Sequence, residues 1–287
     1  MVNERDTQYL LLTPGPLSTT RTVREAMMQE HSTWDIDYNS IVESIRSRLV
    51  RLAVRDDTNL DAHTAALMPG SGTFAVESVI GSVIPPDGKL LVLNNGAYGA
   101  RITTISRMLG IDTVELAQAE IESTDLGQVE QMLANDPGIT HVAMVHCETT
   151  TGMLNPVEAV GEIVHRHGRE FILDAMSSFG GIPMSMESIG AQYLISSANK
   201  CVQGVPGFGF VVADRATLEA TKGRARSHSL DLFDQWHEME TKGGKWRFTS
   251  PTHVVSAFAQ ALDELEAEGG VEARHASYVA NQKTMVD

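Results

Sequence analysis

Cysteine and positive charge are both scarce in this chain of 287 residues. The two cysteines, Cys147 and Cys201, fix no disulfide framework and suit a reducing compartment. Lysine and arginine number 22 against 37 aspartates and glutamates, a formal charge of −15. A chain this acidic repels nucleic acid and anionic membrane, which argues against both as partners. It does not exclude a small anionic substrate, because local arginines decide that. No apolar run approaches the roughly eighteen residues that would read as a membrane span. The opening MVNERDTQYLLLTPGP has a brief apolar stretch with acids before it, which is not the shape of a signal peptide. Together these absences point to a cytoplasmic protein. Internal repeats and low-complexity tracts are also missing.

What is present, 42% hydrophobic and 21% charged residues, suffices for a sizeable globular core. Short β-rich runs at 65–68, 90–93, 141–145, 170–173, 192–195 and 208–212 alternate with helical patterns. Over 39–53, Ile41, Val42, Ile45, Leu49 and Leu52 recur at helical spacing. Asn155 and Pro156, followed by Val157, Val160, Ile163, Val164 and then Gly168, read as an N-cap, a first-turn proline, an apolar stripe and a terminating glycine. A long helix is expected over 254–268, closed by Gly269 and Gly270. Alternation of this kind predicts an α/β fold with a mainly parallel sheet between helices. Ligands in such folds sit beyond the carboxyl ends of the strands, so the residues just after each strand are the ones to inspect.

After the first strand, Ser71, Gly72 and Thr73 open a helix over 74–84. Free N–H groups, small residues and two hydroxyls there can cradle a phosphate, or can be an ordinary capped turn. No lysine follows in P-loop fashion, and there is no G-x-G-x-x-G. Asp174 ends the 170–173 strand among apolar neighbours, where a carboxylate needs a cation or serves as a cap. A protonated pyridine nitrogen is such a cation. Lys200 follows the 192–195 strand and precedes a glycine-rich turn, which suits a partly desolvated amine that condenses with a carbonyl. Tyr98 follows the 90–93 strand, as a stacking ring or a plain loop residue. Thr150, in the run 148–152, offers a hydroxyl to a cofactor or caps a turn. His165 and His167 are two residues apart, not a helical metal-ligand pair, and read as solvated. Cys147 and Cys201 read as buried bystanders.

Eight ordered stretches carry a family resemblance: LLTPGPLSTTRTV, TWDIDYNSIVESIR, GSGTFAVES, NNGAYGARI, MVHCETTTGMLNP, LDAMSSFGGIPM, YLISSANKCVQGVPGFGFV and KWRFTSPTH. With them the chain resembles the class V, fold type I aminotransferases that use pyridoxal 5′-phosphate. Among these it is most similar to the branch taking 2-aminoethylphosphonate as amino donor and pyruvate as acceptor, in preference to the alanine- or serine-glyoxylate branch. The resemblance implies that Lys200 carries the cofactor as a Schiff base and that Asp174 partners its ring nitrogen. It implies that Ser71, Gly72 and Thr73 hold the phosphate. Thr249 would reach the cofactor phosphate of a second subunit, which makes a homodimer with shared active sites. It also implies an N-terminal arm over 1–20, a large cofactor domain over 21–252, and the helical start of a small C-terminal domain over 253–287. The rest of that domain, with an arginine for the substrate's anionic group, lies beyond this sequence. A catalytically silent cofactor-binding protein is the alternative from a different class.

Overall fold

A computed structural model describes residues 10–55 and 57–286. The central feature is a seven-stranded sheet with spatial order β1-β9-β8-β7-β4-β2-β3. Its strands are β1 (His63–Gly70), β2 (Lys89–Asn94), β3 (Asp112–Ala117), β4 (Ile139–Val145), β7 (Glu170–Asp174), β8 (Tyr193–Ser197) and β9 (Gly207–Asp214), while β5 (Cys147–Glu148) and β6 (Met153–Leu154) form a separate small hairpin. Pairing is parallel from β3 through β2, β4 and β7 to β8. Only β9 runs against the rest of the sheet, paired antiparallel to both β8 and β1. The link from β8 to β9, residues 198–206, is too short for the dozen or more residues of a crossover, so the chain must turn back on itself.

Every expected strand falls on an observed one. β3 was not expected: it is an edge strand, partly exposed along most of its length, and so lacks the unbroken apolar run that marks its neighbours. Along the buried strands successive side chains go to opposite faces. Leu67, Leu91, Val142, Leu173, Leu194 and Phe210 enter one core layer. Met68, Val92, Ala143, Ile172, Ile195 and Val211 enter the other. Sheets buried on both faces read as continuous hydrophobic runs for this reason.

Helices cover both faces. They are α1 (Arg21–Ala26), α2 (Ile36–Ala53), α3 (Gly72–Val83), α4 (Ala97–Met108), α5 (Leu126–Asn135), α6 (Val157–Arg166), α7 (Met186–Ile189), α8 (Arg215–Glu219), α9 (Leu232–Thr241), α10 (Thr252–Glu268) and α11 (Gly270–Val286). Helix α2 follows its periodicity, burying Val42, Ile45 and Leu49. Helix α10 buries Phe258 and Leu262 in the same layer, with Phe258 edge-on to Phe208 at 5.1 Å. Helix α11 returns to the sheet end: Arg274 pairs with Glu268 and donates to the carbonyl of Cys201. No helix of the described residues is long and apolar enough to cross a membrane.

Two local expectations need correction. Asn155 does not cap α6; its amide donates to the carbonyl of Val145 and to Asn95, because the strand end offers buried partners that a helix cap does not. His167 is not simply solvated: its Nε2 lies 2.6 Å from Glu130 Oε1, while His165 is exposed.

Candidate active site

The carboxyl ends of β1, β7 and β8 meet in one cleft of about 180 Å³, lined by Ser71, Gly72, Thr73, Tyr98, Arg101, Asp174, Met176, Ser197, Asn199 and Lys200. A larger recess lies away from these strand ends and is lined by Arg46 in ion pairs with Glu43 and Glu240. Six residues expected from sequence, Ser71, Gly72, Thr73, Tyr98, Asp174 and Lys200, are thus brought together. Thr150 is not: it is exposed, and its hydroxyl is engaged by Glu148 at 3.3 Å. Thr249 is exposed and outside the cleft of its own chain.

Asp174 ends β7 and is 4% exposed. Its Oδ1 accepts the Met176 N–H at 2.9 Å, and no ion pair closes on it among the described residues. Burial pushes its pKa up to about 6, against the opposing pull of the Met176 hydrogen bond. A buried carboxylate in this state calls for a cationic hydrogen-bond donor.

Lys200 sits in a turn whose geometry is fixed by backbone bonds: Gln203 N–H donates to Lys200 O at 2.7 Å and Gly204 N–H to Ala198 O at 2.8 Å. The side chain is half-buried, and burial pushes its pKa below the ordinary lysine range, raising the fraction that carries a lone pair. The segment bearing Gly15 crosses over it. A Cβ on Gly15 would lie 2.6 Å from Nζ, and its φ of +156° is one that L side chains rarely adopt, so glycine suits this close approach.

Helix α3 begins at the cleft. Ser71 is its N-cap residue, yet its hydroxyl makes no capping bond, which leaves it and the Gly72 and Thr73 N–H groups available to an anion, while the Phe74 N–H donates to Ser71 O at 2.9 Å. Helix α4 begins alongside. The Tyr98 N–H is shared by both carboxylate oxygens of Glu148 at 3.3 Å, and Glu148 is fully buried. Arg101, one turn on, lies over the Tyr98 ring at 4.6 Å from its centroid and donates to Thr73 Oγ1 at 3.2 Å.

Arg101 and Glu148 escaped the sequence reading as individual residues. The three-residue spacing of Tyr98 and Arg101 puts both on one face of a helix, and Glu148 is an acid at a strand end like Asp174. The neighbouring groups are not reactive. His146, with Nδ1 2.9 Å from Ser178 Oγ, is pushed down to about 4 by burial and stays neutral. Burial pushes both the Cys147 and Cys201 thiols up, which disfavours the thiolate. Both are half-buried rather than buried.

Comparison with known proteins points to one family. The family described as aminotransferase class-V matches residues 23–286. The chain is 60% identical over 280 residues to the 2-aminoethylphosphonate–pyruvate transaminase of Vibrio vulnificus, covering 97% of this chain and 75% of that one. It is 56% identical over 281 residues to the enzyme of the same name from Bacillus mycoides, covering 98% and 76%. Among solved structures, the alanine–glyoxylate aminotransferase of Nostoc sp. superposes with a TM-score of 0.87 at 22% identity, covering 99% of this chain and 77% of that one. Pyridoxamine–pyruvate aminotransferase from Mesorhizobium loti superposes at 0.83 with 24% identity, covering 93% and 67%. At these identities the structural likeness speaks for the fold.

Proposed function

The chain belongs to the class-V aminotransferases, and on that premise we propose that it transaminates 2-aminoethylphosphonate with pyruvate, giving phosphonoacetaldehyde and L-alanine. The observation that carries this reading is the 60% identity over 97% of the chain to transaminases of that name. The cleft supports it by holding an unpaired buried carboxylate, a half-buried amine and an open helix N-terminus together.

Those three features fit pyridoxal 5′-phosphate, the cofactor of this family. Asp174 would accept the ring N–H, Lys200 Nζ would condense with the carbonyl, and Ser71, Gly72 and Thr73 would hold the phosphate. Tyr98 would stack on the ring with the face that Arg101 leaves free. When bound, the cofactor supplies a ring that accepts electrons from the carbon bearing the amino group. The chain's own part is to hold and move protons. Asp174 would keep the ring nitrogen protonated. Lys200 Nζ would hold and move the proton at the amino-bearing carbon, as base and then acid.

The same reading makes the enzyme a cytoplasmic homodimer in which Thr249 of each chain reaches its neighbour's cofactor phosphate. Met28, Trp34, Ile36 and Phe248 are large apolar side chains left exposed. They belong to two segments tied together by Tyr38 Oη and Ser250 Oγ at 2.7 Å and by His253 Nδ1 and Met27 O at 2.7 Å. An exposed apolar group of this size fits a subunit contact. In domain terms residues 1–20 would be an arm, 21–252 the cofactor domain and 253–287 the helical start of a smaller domain; residues 1–9 and 287 lie outside the described residues.

Single-turnover assays test the function. Cofactor-loaded protein given 2-aminoethylphosphonate should release phosphonoacetaldehyde, and pyruvate should then restore the starting spectrum with one alanine per site. Loaded protein that converts neither substrate would instead be the silent cofactor binder. Conversion of alanine with glyoxylate but not of the phosphonate would place it in the other branch.

A further inference from the structure

Among the described residues one cation besides Lys200 lines the cleft, and the expected cofactor contacts do not use it. We propose that Arg101 is the fixed counter-cation for the phosphate group of the cofactor. This inference rests on the reading of the cleft as the pyridoxal phosphate site.

Arg101 spans two helix starts. It grows from α4 and donates to Thr73 on the first turn of α3, the helix whose N-terminal N–H groups face the cleft. Its guanidinium is placed by the Tyr98 ring beneath it and by the Thr73 hydroxyl, and no carboxylate pairs with it among the described residues. Arg46, Arg48, Arg215 and Arg274 all close on carboxylates. Only one of the five N–H donors of the fork is engaged by Thr73, and the remaining donors suit an oxyanion of tetrahedral shape.

The charges of the cleft lead to the same assignment. A phosphate monoester brings about −1.5 to −2 at neutral pH. Asp174 is matched to the ring and Lys200 to the carbonyl, so neither serves the phosphate. The α3 terminus contributes the equivalent of about half a positive charge. Arg101 supplies a whole one at the same end of the cleft, marked by its bond to Thr73. A phosphonate on the substrate has similar shape and charge, and the test separates the two.

Apo protein should be titrated with pyridoxal phosphate and with pyridoxal, which lacks the phosphate, in wild type, Arg101→Gln and Arg101→Lys. Loss of one charge-assisted contact predicts that Arg101→Gln weakens pyridoxal phosphate binding roughly 10- to 100-fold and pyridoxal binding less than about twofold. Arg101→Lys should recover part of the loss, and circular dichroism should be unchanged because the residue is exposed. Equal losses for both ligands would overturn the proposal and assign Arg101 to holding Tyr98. Unchanged cofactor affinity with a raised KM for 2-aminoethylphosphonate would overturn it in favour of the substrate. A wild-type protein that binds neither compound would overturn the reading of the cleft itself, and this inference with it.

Discussion

At the scale of single residues, Asp174 shows how a functional group can be a liability to the empty protein. Its folded pKa, pushed up to about 6 by burial, exceeds the unfolded value of 3.8. The folded state therefore holds the proton more tightly between these values, and stability falls as pH rises from about 4 to 6. A rise of about two pH units corresponds to a penalty on the order of 3 kcal/mol above pH 6. Asp174→Asn should thus raise the melting temperature of the apo protein at pH 8 and lose that advantage as the pH approaches 4. The same variant should lose most transamination, roughly a thousandfold, because an amide cannot hold a proton on the ring nitrogen. Thermal melts across pH, set beside single-turnover rates, check both halves. Lys200 makes a simpler case. Borohydride reduction of loaded protein should fix a mass adduct on the peptide containing Lys200, and Lys200→Ala should abolish it; an adduct that persists elsewhere would refute the assignment.

At the scale of elements, the start of α4 is set by a carboxylate from another strand. Glu148 occupies the place of an N-cap side chain that Gly96 cannot provide, and it takes the Tyr98 N–H. A Cβ on Gly96 would lie 2.8 Å from Glu148 Oε2 and closer still to its carbons, so the glycine is required by contact with Glu148. Gly96→Ala should therefore cost about 1–3 kcal/mol, the usual price of overpacking, read as a lower urea midpoint with an unchanged m-value. Because α4 carries Tyr98 and Arg101 into the cleft, cofactor affinity should fall in the same variant. Glu148→Gln keeps one acceptor oxygen and should retain the fold. A Gly96→Ala protein as stable as wild type would show that Glu148 simply moves aside.

For the whole molecule, the question is whether the cleft is complete within one chain. Thr249 is exposed in its own chain and lies outside that chain's cleft, next to the exposed Phe248. If it serves a neighbour's phosphate, Thr249→Ala should weaken cofactor binding by about 1.5–3 kcal/mol, one charge-assisted hydrogen bond. Cofactor retention should also drop as the protein is diluted toward monomer. Equilibrium dialysis over a dilution series, with sedimentation to report mass, measures both. A monomer that binds as tightly as the dimer, with Thr249→Ala silent, would mean that each site is built from one chain.

The six buried strands, the α/β alternation, and the placing of Asp174 and Lys200 after strands were all legible in the sequence. Local order carries this information: runs of apolar residues mark strands buried on both faces, and the residue after such a run is held at the sheet's carboxyl edge. Edge strand β3 was not legible, because an edge strand need not be apolar. Nor was the reversed direction of β9, which depends on the reach of the 198–206 link. The roles of Glu148 and Arg101 were decided only in three dimensions. Glu148 meets Tyr98 fifty residues away and Arg101 meets Thr73 across twenty-eight. Thr150 turned out to face Glu148 for the same reason: a hydroxyl's partner is whichever acceptor the packing brings within about 3 Å, and neighbours in sequence do not specify it.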